Sequence, residues 1–146
     1  MHLEHIPSRF QNLAGKRELN YSLAAPASDD EMLSAEQRLG VSFPAQVRLF
    51  YRSFNGLRVD DPPLEVLSIE RLNFAYPNRL HFATLDGSRP LYFDVSHTNE
   101  AEQWDIVSAD DYRVTLSMAS FWSNKIWAWV EKRRAIWREW QDETAT

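Results

Sequence analysis

The stretch Phe43-Pro-Ala-Gln-Val-Arg-Leu-Phe-Tyr-Arg-Ser-Phe-Asn-Gly56 decides how the rest of the chain is read. Val47, Phe50, Tyr51 and Phe54 fall at i, i+3, i+4 and i+7, which places one apolar stripe along a helix. Pro44 suits the first helical turn, where a missing N–H costs nothing, and Gly56 suits a left-handed C-cap. The segment therefore reads as a punctuated helix built to pack against a core, with no reactive group on it.

Upstream, Ser-Asp-Asp-Glu-Met-Leu-Ser-Ala-Glu-Gln-Arg-Leu-Gly (28–40) predicts a second helix. Ser28 and Glu31 have capping-box spacing, Asp29 and Asp30 place negative charge at the positive end of the helix dipole, and Gly40 is the stop. The short link Val-Ser-Phe between the two helices predicts that they lie against each other. Downstream the pattern changes to alternation. Asp60-Asp-Pro-Pro63 marks a loop, and 64–69 and Leu80–Leu85 read as half-buried strands. The Asp86-Gly87 turn signal leads into a returning strand, Leu91–Val95. Residues 103–107 and 112–116 continue the meander, with a tight turn at Asp110-Asp111. A final helix starts at Ser117 or Ser120 and carries Trp122, Ile126, Trp129 and Val130 as a stripe. Trp137 and Trp140 extend that stripe if the helix continues, with Lys132, Arg133, Arg134 and Arg138 late in it. The expectation is an α+β fold: N-terminal helices, a central antiparallel-dominated sheet, and a C-terminal helix packed on the sheet.

Chemistry is sparse. The 146 residues include no cysteine, which excludes disulfides and thiolate metal sites. Only four glycines are present, and neither a P-loop nor a dinucleotide fingerprint can be assembled from them. His2, His5, His81 and His97 lack the i, i+4 spacing of a helical zinc pair. The acid pairs Asp60-Asp61 and Asp110-Asp111 could bind a divalent ion or serve as acid and base, but both sit at turn signals, where aspartate bonds its own backbone. The expectation is no enzyme, no cofactor and no metal. The N-terminus has no secretory pattern and no apolar run approaches about 18 residues, so a soluble cytoplasmic protein without a membrane partner is expected.

Charge is uneven. Of the net −5, residues 29–111 hold seven basic and 15 acidic groups, or −8. Such a midsection disfavours nucleic-acid binding, which needs clustered lysine and arginine, and favours encounter with a basic protein. Asp60, Asp61, Glu100, Glu102, Asp105, Asp110 and Asp111, in predicted loops or at strand edges, are the candidate partner-binding residues.

The ordered set Leu39-Gly40, Phe43-Pro44, Asn55-Gly56, Asp86-Gly87, Tyr92-Phe93-Asp94 and Ser120-Phe121 resembles the SUKH superfamily over about residues 28–130. That superfamily includes yeast cell-wall-synthesis regulators and many bacterial immunity proteins. Phe43 departs from the usual small aliphatic before proline, and the hairpin turn has one glycine. The length fits one domain, 1–146, with its core at about 28–130, while residues 1–27 and the tail after Val130 match no part of the pattern. The resemblance implies an α+β binding fold with no catalytic residues. Its partner would be the cognate toxin domain of a competing cell, a nuclease being one basic candidate. A regulatory or scaffolding module without a toxin is the alternative.

Overall fold

The computed structural model describes residues 3–16 and 18–134. After a single 3-10 turn at Leu3–His5 come α1 (Ile6–Lys16), β1 (Tyr21–Leu23), α2 (Asp29–Leu39), α3 (Ala45–Ser53), β2 (Leu57–Val59) and β3 (Leu64–Val66). A 3-10 turn (Ile69–Arg71) leads to β4 (Asn73–Tyr76), β5 (Arg79–Leu85), β6 (Arg89–Asp94), β7 (Asp105–Ser108) and β8 (Arg113–Thr115). The last helix starts as α4 (Met118–Ser120), widens to a π-helix over Phe121–Ile126 and returns as α5 (Trp127–Lys132). The expected α+β class holds, with an eight-stranded antiparallel sheet in the order β1-β2-β3-β5-β6-β7-β8. β4 lies off that path, pairing with the first part of β5, while β3 pairs with the last part.

The predicted capping box on α2 forms in full. Glu31 N donates to Ser28 Oγ at 3.1 Å and Ser28 N donates to Glu31 Oε1 at 3.0 Å. Gly40 takes the left-handed C-cap at φ 69°. Glu36 then reaches across the link. It accepts from Phe43 N at 2.7 Å and pairs with Arg48, so a buried carboxylate joins α2 to α3.

The two ends of α3 differ from the expectation. Pro44 is the N-cap, in extended conformation, and the helix ends at Ser53 with Phe54 as its cap. Gly56 is not a helix cap. Its φ of 94° turns the chain into β2, and a Cβ built on it would lie 2.7 Å from the Val66 carbonyl and 2.9 Å from Ser68 N. Glycine is required there because backbone packs on backbone. Asn55 seals the same point: its Oδ1 accepts from Ile69 N at 2.7 Å and its Nδ2 donates to Glu70. Tyr51, fully buried, donates its hydroxyl to Leu67 O at 2.8 Å. The expected strand over 64–69 consequently stops at Val66, where these bonds take over the backbone.

One face of the sheet carries the core. Leu80, Phe82, Leu91, Phe93 and Ile106 are buried among residues of the helices. Phe82 stacks on Phe93 with ring centroids 3.9 Å apart, and Phe121 of the last helix meets Phe82 edge-on at 5.8 Å. Helix α1, which no sequence signal announced, packs into this same core. Phe10 stacks on Tyr21 at 5.1 Å and lies 5.0 Å from Trp127. Arg9 sits 4.5 Å over the Trp127 ring while its Nη2 donates to Glu131 at 2.6 Å. Basic residues at the end of the last helix also depart from the expectation. α5 ends at Lys132, and Arg133 takes a left-handed conformation at φ 54°. Trp137, Trp140 and Arg138 lie outside the described residues.

Replacing Gly56 by alanine is expected to cost about 2–4 kcal/mol, from left-handed strain plus the backbone clash. The Gly15→Ala change, in α1 with nothing within 4 Å of the new methyl, should be neutral or stabilise by about 0.5–1 kcal/mol. Urea unfolding midpoints of the two variants check both.

Candidate functional site

Strand direction decides which carboxylates lie together. β3 and β6 run antiparallel to β5, and β7 antiparallel to β6. The β2–β3, β5–β6 and β7–β8 turns therefore share one end of the sheet, and the loop 95–104 between β6 and β7 lies at the other. Asp60, Asp61, Asp110 and Asp111 fall on the turn end. Glu100, Glu102 and Asp105 fall on the loop end.

At the turn end, Asp60 is exposed, with Arg58 Nε 4.0 Å from its carboxylate. Asp61, which precedes a cis bond to Pro62, is gripped by Arg133 through Nη1 at 2.6 Å and Nη2 at 3.0 Å. The Arg133 backbone itself is left-handed, at φ 54°. Asp86, treated in the sequence only as a turn residue, is exposed beside this pair. Its N–H donates to Pro63 O at 2.9 Å, which ties the β5–β6 turn to the β2–β3 turn. In the β7–β8 turn, Ser108 Oγ accepts from Asp110 N and Tyr112 N at 3.3 and 3.2 Å. Asp111, at φ 61°, accepts from Arg79 Nε at 2.9 Å. The Asp110 side chain stays exposed.

Arg79 crosses the helix-free face of the sheet to make that bond, and its Nη1 also lies 3.0 Å from Asp94. Asp94 anchors the loop end. It accepts from Ser96 N at 3.0 Å and from Ser96 Oγ at 2.6 Å. Burial pushes the Asp94 carboxyl up, but these two hydrogen bonds and the Arg79 and His97 charges outweigh it and hold the group below its ordinary value. Asp105 is 8 % exposed and accepts from Asn99 Nδ2 at 2.9 Å. Asn99 also donates to Leu116 O at 2.8 Å, so the loop is pinned to the chain entering the last helix. Glu100 and Glu102 project from this loop into solvent.

The seven candidate carboxylates thus separate by role. Asp61, Asp105 and Asp111 have side-chain partners within the chain, and of these only Asp105 is buried. Asp60, Glu100, Glu102 and Asp110 are exposed, as are the ion-paired Asp61 and Asp111. For Asp61 and Asp111 no local signal exists, because Arg133 lies 72 residues from Asp61 and Arg79 lies 32 from Asp111.

Ser96, His97 and Asp105 form the arrangement nearest to reactive chemistry. Ser96 Oγ is 3.0 Å from His97 Nδ1, and His97 Nε2 is 4.0 Å from Asp105. The serine hydroxyl donates to Asp94, so His97 does not hold its proton, and 4.0 Å is too long for a hydrogen bond that orients the imidazole. The group works as a loop anchor. Among the described residues no set of three or more His, Asp or Glu is placed to hold a metal ion. Nor is any helix among them long and apolar enough to cross a membrane.

The helix pair, the Asn55-Gly56 seal and the hairpin ending in Asp94 coincide with a family model, that of the SMI1/KNR4 family (SUKH-1), which matches residues 26–124. The chain belongs to that family. No curated protein matches it. Within the SUKH-1 match lie Asp60, Asp61, Glu100, Glu102, Asp105, Asp110 and Asp111, whereas α1 and α5 fall outside it.

Asp94 generates a pH prediction. Its folded value is depressed, so its stabilisation is fully present above the unfolded value of 3.8 and is lost as pH falls through the folded value. Asp94→Asn should cost about 1–3 kcal/mol at neutral pH and progressively less as pH falls below 3.8, flattening the acid limb of stability. Thermal melts of both proteins across that range test it. Equal losses at all pH values would mean that the carboxylate charge is irrelevant.

Proposed function

We propose that this SUKH-1 chain is a non-catalytic protein-binding domain over residues 1–146, acting in the cytoplasm as an immunity protein that binds and neutralises a cognate toxin domain. One observation carries the electrostatic part of this reading. Asp60, Asp86 and Asp110 are exposed on turns at one end of the sheet, together with Asp61 and Asp111, which are ion-paired yet also exposed. Exposed carboxylates on preformed turns attract a basic partner over long range without reorganising on contact. The partner is accordingly a basic protein such as a nuclease domain, and the turn end is its docking face. No cofactor, nucleic acid or membrane takes part.

Expression of the toxin domain encoded next to this gene, in a sensitive host with and without this protein, tests the reading. Rescue by this chain and not by an unrelated immunity protein is the expected result. Failure to rescue, with the protein folded and the toxin active, overturns that pairing.

Once a partner is in hand, charge reversal locates the face. The Asp60→Lys/Asp110→Lys double variant is expected to slow association at least about ten-fold at low salt and to weaken its salt dependence. The Glu100→Lys/Glu102→Lys variant, at the opposite end, should change the rate less than about two-fold. Stopped-flow association at several ionic strengths distinguishes them, and equal rates for wild type and the turn-end variant would remove the electrostatic argument.

A further inference from the structure

We draw no further inference here: the strongest candidate, the shallow trough that Ser22, Arg58, Glu65 and Thr84 line on the helix-free face of the sheet, has Arg58 and Arg71 balanced by Asp60 and Glu65, and nothing in the structure shows what covers it.

Discussion

The close approach of Gly56 to the backbone of Val66–Ser68 is the constraint on which the rest of the structure depends. It brings the end of α3 against the end of β3 with no side chain between them. Asn55 and Tyr51 then bond the backbone that this contact brings within reach, at Ile69 and Leu67. A helix and a strand from different layers are locked at a single point. The direction in which β2 leaves that point orients β3, and β3 in turn sets the register of β5. Because Phe50 and Tyr51 enter the core from the same helix, the aromatic cluster and the sheet share one mechanical origin.

A second constraint acts on the opposite face. Arg79 pairs with both Asp94 and Asp111, and Asp94 accepts from Ser96, in a chain whose centre, Arg79 and Asp94, is largely shielded from water. Each carboxylate in it has a partner, as desolvated charge requires. The network fixes both ends of the sheet relative to each other, so the β7–β8 turn and the β6–β7 loop are held by the same arginine. This is why exposed acids on those segments have defined positions although they lie in irregular chain.

Legibility in the sequence followed the range of the interactions. The α2 capping box, Gly40 and the Asp86-Gly87 turn involve neighbours a few residues apart, and each was readable from spacing alone. Spacing marks Gly56 as a position of positive φ but does not show why, since Val66 and Ser68 are distant in sequence. Helix α1 leaves no pattern in the sequence because it buries little beyond Ile6 and Phe10, too few positions to show a period. Strands β1 and β2 are three residues long, below the length at which alternation becomes visible. The widening of the last helix over Phe121–Ile126 keeps the tryptophans near helical spacing, so no pattern betrays it. At the candidate site, the turns were legible and the ion pairs were not. An aspartate's tendency to form a turn is local, whereas its choice of Arg133 or Arg79 is a product of the completed fold.

Helix α1 lies outside the matched family segment, yet Phe10 touches Tyr21, Trp122 and Trp127. The unit recognisable by descent and the unit that excludes water are therefore different lengths of chain. The matched segment, 26–124, ends inside the π-helix and omits both walls of this tryptophan cluster. A change in ring size at Phe10 has to be taken up by Trp127, and the reverse, across more than a hundred residues, through rings that meet in the core.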